Sequence, residues 1–367
     1  MATLINTPID KPFDPSSLKV EVKNTTVGQL TDMLRNGMID LQPDFQRHGD
    51  LWGAAKKSRL IESLILGLPL PSFYFFIDAE KEKWVVIDGL QRLSSINSFM
   101  VEESLKLTGL QFLDKTHNGR FYEDFSYFEQ LEMSMRSVTL NIISGASSAE
   151  AKYIIFQRIN SEGTKLTPAE IRNALFHGPS MDLVKRLAES PSFENATDGK
   201  VSKKRLLHYD FVSRFFAFYI LGFKAYPGNN MDFFIGKALE KMNEFTSEDE
   251  WQNVEKAFGD SLSLCKSLLG ADAFRQPLTD AERRNANIKS NPISLSLFEA
   301  MMWSVSQLPE SERLELLNRK SAYVEKYAEM FEDEALRKNL SNGTNSSRSV
   351  NYRFMAMEKL VLDVLNG

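Results

Sequence analysis

Within the stretch IDGLQRL, residues 87–93, an Asp, a Gly, a Gln and an Arg (Asp88, Gly89, Gln91, Arg92) fall within five positions between a β-branched run and a helical pattern. Such a turn has the chemistry of an anion site. Backbone N–H groups at a helix start and the positive end of the helix dipole attract a phosphate, a glycine admits the ligand to the backbone, and an adjacent Arg can grip two phosphate oxygens. Asp88 can cap the helix or meet a ribose or a metal. A plainer reading competes: Asp-Gly makes a turn, and Gln-Arg sits on a solvated helix face.

Two further clusters hold the same residue types at element boundaries. PDFQRHGDLW, residues 43–52, contains Gln46 and Arg47, a second Gln-Arg pair, followed by Trp52, for which core packing is the default. FQRINSEGTKLTPAEIRNA, residues 156–174, contains Arg158, Asn160, Ser161, Glu162, Gly163, Thr164, Glu170 and Arg172. By itself it reads as a helix, a glycine turn and a capped helix.

The elements that position these clusters follow from periodicity. Residues 1–18, rich in Pro, Asp, Thr and Ser, form a loose lead-in. LKVEVKNTTV alternates as a strand, and Thr26 caps the helix VGQLTDMLRNG, whose Val27, Leu30, Met33 and Leu34 share one face and whose Gly37 ends it. Ile39–Leu41 is extended. AAKKSRLIESLILGLP is a helix with Leu60, Ile61, Leu64 and Ile65 on one stripe; PSFYFFID and WVVIDG are two strands joined by a charged turn.

Residues 90–104 read as a helix, and 105–145 as short strand-like pieces that include SVTLNIIS. AEAKYIIFQRI is helical, and Thr167, Pro168 and Glu170 form a capping box for the next helix. From about residue 180 only helical periodicity follows. The predicted fold is therefore α+β: a mixed first domain over 19–190 and an all-α domain over 191–367, with the boundary in ESPSFENATDG. The loop GTNSSRS is the clearest candidate for a mobile or ligand-ordered segment.

The totals limit the function classes. The 367 residues are 43% hydrophobic with a net charge of −5, which argues against non-specific coating of nucleic acid but leaves room for local basic patches. Lys200, Lys203, Lys204 and Arg205 form one such patch; Arg283 with Arg284, and Arg348 with Arg353, form weaker ones. One cysteine excludes an internal disulfide, and four histidines without metal-ligand spacing disfavour a zinc site. With no membrane span or leader pattern evident, a cytoplasmic protein is expected. There is no Walker phosphate loop and no Gly-x-Ser-x-Gly elbow.

Taken together and in order over about residues 25–220, the three clusters, the LIESLILGLPLPSFYF segment and KKRLLHYDFVSRFF resemble the N-terminal domain family of GmrSD-type, modification-dependent restriction systems, related to the ParB and sulfiredoxin fold. The family's turn is usually Asp-Gly-Gln-Gln-Arg, so Leu90 is a departure. The resemblance implies a ParB/sulfiredoxin-like domain with a small mixed sheet and a nucleoside-triphosphate pocket at the turn. In several members it implies NTP hydrolysis coupled to DNA restriction or phage defence.

Carried over to this chain, the nucleotide would be met by Gln46, Arg47, Asp88, Gly89, Gln91, Arg92, Arg158 and Asn160. Mg2+ would take Asn160 or Glu162, and Asp88 or Glu162 would orient water or metal, with Arg92, Arg47 and Arg158 offsetting phosphoryl charge. Asp88, Arg92 and Glu162 are thus the expected catalytic set; the DNA contacts expected at Lys203, Lys204 and Arg205 rest instead on the basic run itself, for which a solvated face is the plainer reading. His208 is the last histidine, so the helical half lacks the His-Asn-His nuclease common in such fusions. The expectation is a nucleotide-binding regulator that acts with DNA and a separate nuclease subunit and that assembles as a homo-oligomer. The alternative is a non-enzymatic ParB-like DNA-binding or interaction module.

Overall fold

The computed structural model describes residues 19–41, 52–78, 83–144, 149–159, 166–176, 178–228, 230–279, 282, 284 and 290–367. The chain divides into two compact units, Met1–Leu175 and Phe176–Gly367. The division precedes the boundary expected near residue 190. The reason is packing: the helix Pro179–Ala188 lies against helices of the second unit, and the expected linker is itself a helix, Pro191–Ala196. The lead-in over 1–18 lies outside the described residues.

The first unit is α+β. In chain order it comprises β1 (Lys19–Thr26), α1 (Val27–Arg35), β2 (Ile39–Asp40), α2 (Ala54–Ile65), β3 (Phe73–Asp78), β4 (Lys83–Asp88), α3 (Leu90–Ile96), α4 (Asp114–His117), α5 (Tyr127–Met135), β5 (Ser137–Ser144), α6 (Ala149–Ile159) and α7 (Pro168–Leu175). The strands form one mixed sheet in the order β1-β5-β3-β4-β2. β1 pairs antiparallel with β5, β5 parallel with β3, β3 antiparallel with β4, and β4 parallel with β2.

Local signals act as read. The Thr26 hydroxyl accepts from the Gln29 N–H at 3.2 Å, and Gly37, at φ 65°, closes the turn after α1. Between 105 and 136, by contrast, the described residues form turns and short helices rather than strand-like pieces, and only Ser137–Ser144 pairs into the sheet.

Both faces of the sheet are covered, which explains why FYFF and WVVI are continuous apolar runs rather than alternating ones. Phe73, Phe75, Val86, Leu140 and Ile142 join Val27, Leu30, Ile61, Leu64, Leu90 and Leu93 in one core. On the opposite face Phe76, Val85 and Ile143 are cross-strand neighbours and buried, and α6 and α7 lie against β4.

The second unit is helical: α8 (Pro179–Ala188), α9 (Pro191–Ala196), α10 (Leu207–Leu221), α11 (Met231–Asn243), α12 (Glu248–Leu269), α13 (Leu295–Ser306), α14 (Glu310–Asn318), α15 (Lys320–Met330), α16 (Glu334–Ser341) and α17 (Ser347–Asn366). α10 and α13 are apolar around most of their circumference and sit at its centre, with Phe211 against Phe298 at 5.1 Å between ring centroids.

At that centre Glu299, fully buried, accepts from Arg353 Nε at 3.0 Å and from Arg214 Nη1 at 3.1 Å. The two arginines also hold the GTNSSRS loop. Arg353 donates to the Thr344 carbonyl at 2.6 Å and Arg214 to Asn345 Oδ1 at 3.2 Å, while the Tyr226 hydroxyl reaches the Asn345 carbonyl at 2.6 Å. The loop expected to be mobile or ligand-ordered is thus fastened by the protein's own side chains, and Arg353 faces a carboxylate rather than a phosphate.

Candidate functional site

β4 ends at Asp88, and Gly89, at φ 101° and ψ 7°, turns the chain into α3. A side chain is excluded at Gly89 for two reasons. Its φ lies in the left-handed region, and a Cβ would stand 2.5 Å from Phe73 Cδ1 and 3.3 Å from Arg92 Nη2. The direction in which a Cβ would point from Gly89 is therefore occupied by the Phe73 ring. Leu90 is 8% exposed and belongs to the core, so the one departure from the family turn points inward.

Arg92 ties this turn to the entry of β3. Its Nη2 donates to Asp88 Oδ2 at 2.9 Å and to the Ser72 carbonyl at 3.1 Å, its Nη1 to the Pro71 carbonyl, and its guanidinium lies over the Phe73 ring at 4.7 Å. Burial lowers the Arg92 pKa, and the Asp88 carboxylate works against that shift. The Arg92 side chain is 11% exposed and that of Asp88 is 30% exposed, so Asp88 is the more accessible partner of the pair. Among the described residues no side chain caps α3.

β4 is neighboured by described elements that border the other two sequence clusters. β2 runs parallel beside it, Ile39 opposite Trp84 and Asp40 opposite Val85, so the C-terminal end of β2 and the Asp88 turn lie at the same end of the sheet. Gln46, Arg47, Asn160 and Glu162 themselves lie outside the described residues. Arg158 is exposed in the last turn of α6, and α6 and α7 both approach β4.

The sequence reading passed over the density of buried polar groups on α7. Glu170, Arg172 and Asn173 are 1%, 2% and 3% exposed on a helix of eight residues. Glu170 completes the expected capping box: its Oε2 accepts from the Thr167 N–H at 2.6 Å, and its own N–H donates to Thr167 Oγ1 at 3.2 Å. Asn173 Oδ1 is buried with no hydrogen-bond partner among the described residues, a condition that normally costs about 1–3 kcal/mol. The signal available in sequence was the run Glu-Ile-Arg-Asn, polar at three of four positions on a helix too short to expose them all.

In the second unit Lys203 and Lys204 are exposed and Arg205 half-buried, with Lys203 Nζ 4.0 Å from Glu194 Oε2. Arg205 and Leu206 take φ values of 56° and 60°, two consecutive left-handed residues before α10. His208 is buried with its ring 4.2 Å from that of Tyr209, a packing position. Among the described residues no three His, Cys, Asp or Glu side chains form a metal-binding group, and no helix is long and apolar enough to cross a membrane.

No curated relative and no solved structure matches the chain. Residues 27–177 match the family model of the GmrSD restriction endonuclease N-terminal domain, a stretch that begins with α1, ends just after α7 and contains all three sequence clusters. Over that region the chain is similar to the GmrSD restriction endonuclease N-terminal domain, which supports a component of a restriction or defence system.

Proposed function

We propose that the first unit binds a nucleoside triphosphate at the β4–α3 turn and that this binding regulates DNA recognition or cleavage by a partner in a restriction or defence system. The observation that carries the reading is that β4, which ends in the Asp88 turn, is neighboured by the strand preceding Gln46 and Arg47 and by the helices flanking Asn160 and Glu162. Arg92 acts as a positioning residue that holds Asp88 and the Pro71–Ser72 backbone around the start of α3. The phosphates are met by the α3 backbone, Arg47 and Arg158, whose charge offsets that on the phosphoryl oxygens.

Asn173 supplies a fit for the rest of the ligand. Its Oδ1, unpartnered among the described residues, is an acceptor, so it suits a hydroxyl or amino donor of a nucleoside and not a phosphate oxygen. A triphosphate brings most of the oxygen ligands for Mg2+ itself, and Asn160 and Glu162 complete the set. Asp88, or Glu162, orients the attacking water if the nucleotide is turned over. Lys203, Lys204 and Arg205 form the DNA-backbone contact, and a separate nuclease subunit performs cleavage.

Calorimetric titration of ATP, GTP, CTP and UTP with Mg2+, together with phosphate release with and without DNA, tests the reading. The wild type is expected to bind at least one nucleotide. Arg92→Ala, which releases Asp88 and the turn, is expected to weaken binding strongly, and Asn173→Ala to weaken nucleotide but not inorganic triphosphate. Flat titrations with all four nucleotides would overturn the assignment.

One observation favours the second reading, a nucleotide-independent DNA-binding or interaction module: the Arg92 donors are engaged by Asp88 and two carbonyls, as in a purely structural turn. In that case Lys203→Gln, Lys204→Gln and Arg205→Gln together flatten the salt dependence of DNA affinity while nucleotides change nothing.

A further inference from the structure

The second unit contains a surface groove unrelated to the nucleotide reading. It lies between α15, α16 and α17 and has a volume of about 750 Å3. α17 has two apolar stripes. One, through Val350, Phe354, Met357 and Val361, is buried in the core. The other faces the groove: Met355, 59% exposed, and Leu362, 50% exposed, stand seven residues apart on the same side of the helix. Met330, half-buried, adds to this apolar floor from the opposite wall above the buried Leu336, and two methionines give the floor an adaptable shape.

The rim is charged, and unevenly so. Glu329, Asp333, Glu358 and Asp363 stand against Lys326 and Lys359. Asp333 is already engaged, accepting from the Tyr352 hydroxyl and from the Ala335 N–H at 2.8 Å. An apolar floor flanked by surplus carboxylates between helices has the form that receives one face of an amphipathic helix. From Tyr352 to Asp363 the groove-facing stripe of α17 spans roughly 17 Å, about three helical turns.

We infer that this groove docks an amphipathic helix of a partner protein, about three turns long, with an apolar stripe on Met330, Met355 and Leu362 and with Lys or Arg flanks against Glu329, Glu358 and Asp363. A second copy of this chain is a poor occupant, because a two-fold arrangement would bring the carboxylate rims of the two grooves together. A basic helix instead gains charge complementarity at the rim, where it governs association rate and salt dependence, while the Met and Leu contacts govern dissociation.

The test uses the full chain and two fluorescent synthetic peptides, each with Leu at i, i+3, i+4 and i+7, one with Lys and the other with Glu at the remaining positions. Anisotropy is expected to show saturable binding of the Lys peptide and at least about tenfold weaker binding of the Glu peptide. Met355→Ser with Leu362→Ser should weaken the Lys peptide at least about tenfold without altering the circular dichroism spectrum, since both side chains are largely exposed. Glu358→Gln with Asp363→Asn should flatten the salt dependence of binding.

Phe128→Ser, an exposed position in the first unit, should leave binding unchanged. The inference is overturned by an absence of saturable binding, by equal binding of the two peptides, or by indifference to the Met355 and Leu362 substitutions. It is equally overturned if sedimentation shows wild-type self-association that those substitutions abolish, because the occupant is then a second copy.

Discussion

Gly89→Ala is the sharpest test of how the β4–α3 turn is built. An alanine at φ 101° lies in backbone territory that costs an L-residue roughly 1–2 kcal/mol. Its Cβ would also stand 2.5 Å from Cδ1 of Phe73, a ring with no exposed surface and hence little room to move, and forced overpacking of this kind costs about 1–3 kcal/mol. The expected loss is therefore roughly 2–5 kcal/mol. Phe73→Leu removes the clashing ring edge, so in the double mutant about 1–2 kcal/mol should be recovered while the backbone part remains. Because the two units need not unfold together, the assay is urea unfolding followed by hydrogen exchange of peptides spanning residues 84–96. A loss below about 1 kcal/mol for Gly89→Ala would refute the backbone argument, and zero coupling to Phe73 would refute the packing one.

Glu62 predicts an acid sensitivity of the first unit. It is buried and accepts backbone N–H bonds from Gln111, Phe112 and Leu113 at 3.0, 2.7 and 2.8 Å. Burial raises its pKa, but those donors and the Arg59 charge outweigh it and leave the value below the ordinary 4.5. A lowered carboxylate contributes fully above its unfolded-state value and loses that contribution as pH falls through the folded one. Glu62→Gln should accordingly lower stability by about 1–3 kcal/mol at neutral pH and reduce the loss below about pH 4.5, measured by urea unfolding across pH. Glu299→Gln in the second unit leaves Arg214 and Arg353 buried without their carboxylate, and calorimetry should register a loss of about 3–5 kcal/mol with release of the 343–349 loop. Thr167→Ala removes one half of the α7 capping box and should cost about 1 kcal/mol, read from the exchange of amides in 168–171.

Residues that act on near neighbours were legible in the sequence. Thr26 and Thr167 cap the helices they were read to cap, Gly37 ends its helix, and the apolar runs FYFF and WVVI pair as two strands. These features depend on backbone groups three or four residues away, so a short window contains all their partners. The α+β organisation was legible for the same reason, being the sum of such windows.

Tertiary structure decided which groups meet across long separations. Glu62 holds backbone N–H groups some fifty residues on, Arg92 binds carbonyls twenty residues back, and Glu299 lies between arginines 85 and 54 positions away. The Asp88–Arg92 turn shows both limits at once. Its glycine, acid and Arg were visible as a constellation, but that Phe73 covers Gly89, that Leu90 turns into the core and that Arg92 grips Pro71 and Ser72 follow from the sheet order placing β3 beside β4. Sequence alone determined which residues could do chemistry and which local turn would present them. The fold decided which of their hydrogen bonds are already taken, because burial and strand pairing are properties of the whole chain.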